Sequence, residues 1–277
     1  VSMNALAKPV SKLPDVGTTI FTVMSALASE QGALNLSQGF PDFDGPESLL
    51  QAVNEHMRSG QNQYPPMAGV AALREAIAEK VLDLHGLACD ADTEITVTAG
   101  ATEALFCAIA AVVHAGDEVI VLDPAYDSYD PVIRLQGAVP VHVSLMAPAY
   151  RIDWDCIEAA ITANTRLLIL NSPHNPTGMV MDESDIAALS ALCAKYDIYL
   201  IGDEVYEHMV FDQAKHLSLC GYAELYARSF VISSFGKTYH VTGWKVGYCV
   251  APPALTKELR RLHQYVTFTV NTPVQLG

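Results

Sequence analysis

The stretch Arg166-Leu167-Leu168-Ile169-Leu170-Asn171-Ser172-Pro173-His174-Asn175-Pro176-Thr177-Gly178 decides the architecture. Its opening run is apolar at consecutive positions, without the alternation of a strand that keeps one face in water. A short run of this kind is expected of a strand covered on both faces. Two prolines and a glycine then stop it in a rigid loop. Comparable β-rich runs occupy residues 95–98, 118–122, 139–143, 198–201, 230–233 and 246–250, with longer helical stretches between them. Helical periodicity also covers residues 47–58 and 70–84. Strands alternating with helices predict an α/β fold: a mainly parallel seven-stranded sheet with helices on both faces. In that architecture ligands lie beyond the carboxyl ends of the strands. The residues that follow each strand are therefore the candidates for function.

Composition agrees with a large buried core. The chain has 277 residues, 51% of them hydrophobic, which suits one big domain or a domain and a half. Residues 47–277 read as the large domain. Residues 1–46 are rich in proline and glycine and read as an N-terminal arm and part of a smaller domain. One amphipathic stretch interrupts this arm, with Ile20, Phe21, Met24, Leu27 and Ala28 on a shared helical face. Sixteen basic against 31 acidic residues give a net charge of -15, which disfavours a nucleic-acid partner. The six cysteines (Cys89, Cys107, Cys156, Cys193, Cys220, Cys249) are scattered, with no CxxC pair and no metal-ligand spacing. They read as reduced, structural thiols of a cytoplasmic protein. No apolar run approaches the ~20 residues that span a bilayer, and no charged-then-apolar leader opens the sequence.

After strand 95–98 comes Ala99-Gly100-Ala101-Thr102-Glu103, a small-residue turn opening an apolar helix. Free amides at such a helix start form a ready phosphate site, although an ordinary strand–turn–helix junction reads the same way. After strand 118–122 comes Asp123-Pro124-Ala125-Tyr126-Asp127-Ser128-Tyr129. Tyr126 suits stacking on a planar ring and equally suits a rim aromatic. The loop after residue 170 presents Asn175, restrained by the proline that follows it; a turn asparagine is the alternative. After strand 198–201, Gly202-Asp203-Glu204-Val205-Tyr206 places an acid at a central strand's end, where a helix N-cap is the other reading. The last segment is the most specific: Ser234-Phe235-Gly236-Lys237-Thr238-Tyr239-His240-Val241-Thr242-Gly243-Trp244-Lys245-Val246-Gly247-Tyr248. A lysine among small and hydroxyl residues between two strands is an odd place for a solvated charge.

Taken together, these motifs resemble the fold-type I, class I/II aminotransferases that use pyridoxal 5'-phosphate. The resemblance runs from Ser37-Gln38-Gly39-Phe40-Pro41 to Asn271-Thr272-Pro273, with Asn-Pro-Thr-Gly, Asp-Glu-Val-Tyr and Ser-Phe-Gly-Lys in the family's order. Within the family, Pro173-His174-Asn175-Pro176 and Gly243-Trp244-Lys245-Val246-Gly247 resemble the methionine and kynurenine branch. The resemblance implies that Lys237 is the lysine that bonds the cofactor aldehyde as a Schiff base and then moves the substrate's Cα proton. It implies that Asp203 lies under the pyridine nitrogen and keeps it protonated. Tyr206 and Asn175 match donors to the phenolic oxygen, and Tyr126 matches the aromatic on the ring face. The Ala101 and Thr102 amides, the Ser234 hydroxyl and Lys245 match the phosphate cradle. Tyr64, in Asn62-Gln63-Tyr64-Pro65-Pro66, matches a tyrosine reaching the neighbouring subunit's phosphate, which implies a homodimer with shared sites. Gly39 and Asn175 match residues that border the substrate.

Many relatives carry arginine where this chain has Lys245, which keeps the charge but loses the bidentate fork. The family pattern also places the arginine for the substrate carboxylate in a C-terminal part of the small domain that no residue here matches. The 277 residues alone are therefore expected to turn over weakly or not at all. The activity implied is transfer of an amino group from an L-amino acid, methionine or an aromatic amino acid such as kynurenine, to a 2-oxo acid. A carbon–sulfur β-lyase would use the same cofactor cradle. An aminotransferase-like sensor domain of a transcription regulator is the remote alternative; the acidic charge and the lack of a DNA-binding segment speak against it.

Overall fold

A computed structural model describes residues 9–39 and 43–277. Phe40 and Pro41 of the Ser37–Pro41 motif, and Val1, lie outside them. The chain forms two compact units, Val1–Asp42 and Phe43–Gly277. In the first, Thr19 caps helix α1 (Ile20–Glu30), and Asn35 donates to the Ser25 hydroxyl at 3.0 Å. The predicted apolar stripe does form this helix, but none of its residues is buried.

The second unit begins with helices α2 (Glu47–Arg58) and α3 (Ala71–His85). Then follow β1 (Ile95–Thr98), α4 (Gly100–Val112), β2 (Glu118–Asp123), α5 (Tyr129–Leu135) and β3 (Val139–Ser144). Next come α6 (Trp154–Ala160), β4 (Thr165–Asn171), α7 (Glu183–Lys195) and β5 (Tyr199–Asp203). The rest is α8 (Ala223–Tyr226), β6 (Ser229–Ser234), α9 (Phe235–Thr238), β7 (Gly247–Val250), α10 (Pro253–Val266) and α11 (Thr272–Leu276). No helix among the described residues is long and apolar enough to cross a membrane.

The strands form one seven-stranded sheet in the order β1-β7-β6-β5-β4-β2-β3. It is parallel except for β7, which runs antiparallel to both of its neighbours. The apolar runs serve two cores. Leu167 and Ile169 of β4 join Leu105 and Ile109 of α4, Ile133 of α5 and Leu259 of α10 on one face. Leu168 and Leu170 join Ile77 of α3, Ile157 of α6 and Leu189 of α7 on the other. Strands buried on both sides need no alternation, which is why the sequence runs are apolar throughout.

Strand ends differ from the expected ones in an informative way. Both β4 and β5 run further than their apolar cores, so that Asn171 and Asp203 face one another as the last rung of their ladder. By contrast β7 starts at Gly247, one residue late. Lys245 sits in the left-handed region at φ 55°, and the chain turns there before the strand can begin.

Candidate active site

The carboxyl ends of β4, β5 and β6 meet the start of α4 and the Lys245–Gly247 turn at one edge of the sheet. Asp203 is buried there, only 3% exposed. Its Oδ2 accepts a 2.6 Å hydrogen bond from the Tyr129 hydroxyl, and its Oδ1 accepts from the Val205 amide at 3.4 Å. Burial pushes the carboxyl up to about 6, and the Tyr129 bond holds it from rising further. Tyr129 opens α5 and packs edge-on against Tyr126, with ring centroids 5.7 Å apart. Three tyrosines thus gather at this acid, because Tyr206 also feels its charge: burial first, then Asp203, raises the Tyr206 phenol.

Lys237 lies in the single-turn helix α9. Ser234 starts that turn by accepting from the Gly236 amide at 3.2 Å, and its own hydroxyl donates to the Val246 carbonyl at 3.4 Å. The Lys237 ammonium stands 5.7 Å from the centroid of the Tyr206 ring. Burial, and then the charge of Lys245, lowers its pKa. A lysine in this setting gives up its proton more readily than one in water.

Close backbone approach builds the neighbouring corner. Gly100 has φ +73°, and a Cβ there would sit 3.1 Å from the Lys245 Nζ. A Cβ on Gly247 would come within 2.8 Å of the Ala101 amide nitrogen. No side chain caps α4 at Ala99, so the Ala101 and Thr102 amides have no helical acceptor. Glu103 instead bonds the Ala99 amide at 2.5 Å and His263 at 2.5 Å, which pins the start of α4 to α10. The Lys245 ammonium by Gly100 and the Ala101 amide by Gly247, which is itself paired with Ser234, therefore border one small space at the uncapped start of α4, which suits a phosphate.

The loop after β4 is tied to the same edge. His174 donates its amide to the Met179 carbonyl at 2.8 Å, and Gly178 returns to the His174 carbonyl at 2.8 Å. Burial lowers His174 to about 4, so its imidazole is neutral. Asn175 is half-buried, its amide held at 2.6 Å by the Asn171 side chain. Tyr64 lies between α2 and α3, 84% exposed, with its ring edge against Phe268. Gly39 belongs to the N-terminal unit, where it is exposed.

Tyr129 thus links Tyr126 to Asp203, Tyr206 and Lys245 act on Lys237, Lys245 and Ala101 meet across Gly100 and Gly247 beside Ser234, and Asn171 ties Asn175 to the Asp203 strand end. Sequence reasoning missed Tyr129 and Asn171. Tyr129 had a visible signal, as a further aromatic in the loop after β2; in the sequence Asn171 is no more than the last residue of a strand. Among the described residues no cluster of acids, histidines and cysteines could hold a metal ion.

The sequence profile of the family "Aminotransferase class I and II" matches residues 31–276. The methionine aminotransferase of Escherichia coli is 56% identical over 269 residues, which cover 97% of this chain and 70% of that protein. Human kynurenine--oxoglutarate transaminase 3 is 34% identical over 275 residues, covering 95% of this chain and 61% of its own length. In structure, the Escherichia coli methionine aminotransferase superposes with a TM-score of 0.93, at 55% identity, over 98% of this chain and 70% of its own. The N-succinyldiaminopimelate aminotransferase of Mycobacterium tuberculosis gives 0.93 at 44% identity, over 97% and 70%.

Proposed function

Because the chain belongs to the class I and II aminotransferases, pyridoxal-phosphate enzymes that move amino groups between amino acids and 2-oxo acids, we propose that the edge around Lys237 and Asp203 is its cofactor site. The residues present fit the group. Two glycine approaches leave a cradle that a Cβ would fill, and a buried acid lies within the same edge without a cation of its own among the described residues. When bound, pyridoxal phosphate supplies an aldehyde that condenses with amines and a ring that withdraws electrons from the substrate Cα.

Each residue has a physical task. Ala101 and Thr102 amides, the Ser234 hydroxyl and the Lys245 ammonium take the phosphate, with lysine offering a point charge rather than a fork. Tyr126 would pack on one face of the ring. Asp203 would hold a proton on the ring nitrogen, a pairing that favours the ionised carboxyl that burial disfavours. Tyr206 and Asn175 would donate to the phenolic oxygen. Lys237, whose pKa burial and the Lys245 charge lower, would hold the aldehyde through Nζ, and the same Nζ would be the group placed to carry a substrate Cα proton. The single observation behind this reading is the joint geometry of a half-buried lysine over the Tyr206 ring, a buried acid with no cation among the described residues, and a glycine-lined corner beside Lys245.

For the substrate we propose methionine or an aromatic amino acid, on the strength of the relatives named methionine and kynurenine aminotransferases. The exposed Tyr64–Phe268 pair supports a second copy of the chain as the partner whose site Tyr64 completes, with Asn175 bordering the substrate. The unpaired thiols fit a cytoplasmic enzyme.

Borohydride reduction of the holoenzyme, followed by peptide mass spectrometry, is expected to fix the cofactor on Lys237, with no fixation in Lys237→Ala. A reduced adduct on another lysine would overturn the assignment. Incubated with methionine and a 2-oxo acid, the enzyme should yield the matching amino acid. Pyruvate and ammonia from cystathionine alone would instead mark a lyase.

A further inference from the structure

We infer that Asn171 is a positioning residue, whose buried side-chain amide sets the Asn175 loop at a fixed offset from the Asp203 strand end. The inference rests on the reading of Asn175 and Asp203 as cofactor contacts. Asn171 closes β4 and is 4% exposed. Its Oδ1 accepts from the Asn175 backbone amide at 2.6 Å, and its Nδ2 donates to the Asp203 carbonyl at 2.8 Å. The Ser172 amide donates to the same carbonyl at 3.2 Å.

The sheet does not need this amide. Strand pairing already sets Asn171 against Asp203, as it sets Leu170 against Gly202. The side chain instead carries the ladder beyond its last rung, into the loop. The other bonds of that loop, from His174 to Met179, from Gly178 to His174, from Met181 to the Ser172 hydroxyl, and between the Thr177 hydroxyl and both the His174 ring and the Met179 amide, hold its return to the sheet. The bond that reaches the backbone of Asn175 comes from Asn171. The next residue is Pro176, which has no N–H to add. A group at this place must accept on one side and donate on the other, and a neutral carboxamide does both. Asparagine therefore couples two proposed contacts, the donor to the phenolic oxygen and the acid at the ring nitrogen, through a single buried side chain.

The test uses the holoenzyme with Asn171→Leu, Asn171→Asp and Asn175→Ala. Residue-resolved hydrogen exchange should show the Asn175 amide exchanging at least about tenfold faster in Asn171→Leu, with the His174 and Gly178 amides less affected. Asn171→Asp keeps the acceptor and should keep the Asn175 amide slow. The pH midpoint of the cofactor's absorbance change should rise in Asn171→Leu by up to about one unit, a tenfold change in the protonation equilibrium. Asn175→Ala should move it the same way. If Asn171→Leu leaves both the exchange and the midpoint at parental values, the inference fails. If Asn175→Ala leaves the midpoint unmoved, the reading of Asn175 as a cofactor donor fails instead, while fast exchange in Asn171→Leu still marks the tie. Should Asn171→Leu not fold, Asn171→Ser, too short to span both partners, is compared with Asn171→Asp in the same way. Equal exchange in those two overturns the inference.

Discussion

Asp203 and Glu207 leave the same strand end and are almost equally hidden, 3% and 6% exposed, yet they are held in opposite ways. Burial raises the pKa of both. At Asp203 it prevails, because the offsetting groups are a tyrosine hydroxyl and one backbone amide, and the carboxyl is pushed up to about 6. At Glu207 it is outweighed by the His85 imidazole 3.7 Å away, the charge and hydrogen bond of Lys80, and the Ser233 hydroxyl. Lys80 Nζ and Ser233 Oγ each lie 2.5 Å from Glu207 Oε1. Glu207 is therefore held well below the usual carboxylate range. A buried acid that already has its cation is finished structure. Asp203 has no such cation among the described residues, and under the proposed function the cofactor's ring nitrogen would supply it.

Replacing the unfinished acid should have the largest effect. In Asp203→Asn the amide cannot hold a proton on a ring nitrogen, and holoenzyme turnover should fall on the order of 10³-fold. The same substitution should stabilise the cofactor-free chain. Asp203 has a folded pKa of about 6 against an ordinary 3.8, so folding takes up a proton. Its contribution is fully present below about pH 4 and is lost as pH rises through about 6, a change on the order of 3 kcal/mol. Urea unfolding should thus show Asp203→Asn more stable than the parent at pH 7.5 and similar to it at pH 4. A variant less stable at pH 7.5 would break the contrast between the two acids.

Glu207→Gln should do the reverse. Turnover should stay within a few-fold of the parent, because Glu207 touches none of the proposed cofactor contacts. Stability at pH 7 should drop by about 2 kcal/mol, less than for a fully buried pair, since the Lys80 side chain is a quarter exposed. The pH dependence is opposite in sign. With its folded pKa depressed, Glu207 contributes above its ordinary value of 4.5 and loses that contribution as pH falls. The gap between Glu207→Gln and the parent should therefore narrow in acid. A gap that widens below pH 4 would mean that the Lys80 pairing is not what holds Glu207 ionised.

The contrast between the two acids was only half visible in the sequence. Runs such as Leu167–Leu170 showed the strands, because burial on both faces removes polar residues from them. Asp203, Asn175 and Lys237 stood out because they follow such runs. What decides the state of each acid comes from far along the chain: Tyr129 is 74 residues from Asp203, and Lys80 is 127 from Glu207. Those pairings depend on strand order, which is not chain order. β4 separates β2 from β5 in the sheet, and α5, which follows β2, still brings Tyr129 onto Asp203. Lys245 was legible as a charge, but its left-handed backbone, which brings Nζ against Gly100, was not.

The smallest effect belongs to Tyr129→Phe, and it sharpens the contrast most directly. Phenylalanine keeps the ring, its edge contact with Tyr126 and its place at the start of α5. It removes only the 2.6 Å hydrogen bond to Oδ2. That bond favours the ionised carboxylate, so its loss should raise the Asp203 pKa above about 6, by up to about one unit. In the cofactor-free chain the range over which stability falls with rising pH should then extend upward, and the variant should lose more than the parent between pH 6 and 8. In the holoenzyme a protonated ring nitrogen at the proposed site would give Asp203 the cation it lacks, and the change should shrink to a few-fold in turnover. Carboxyl-selective carbon NMR of the cofactor-free chain follows the titration itself. A midpoint unchanged in Tyr129→Phe would show that burial alone sets the state of Asp203 and that its tyrosine serves packing.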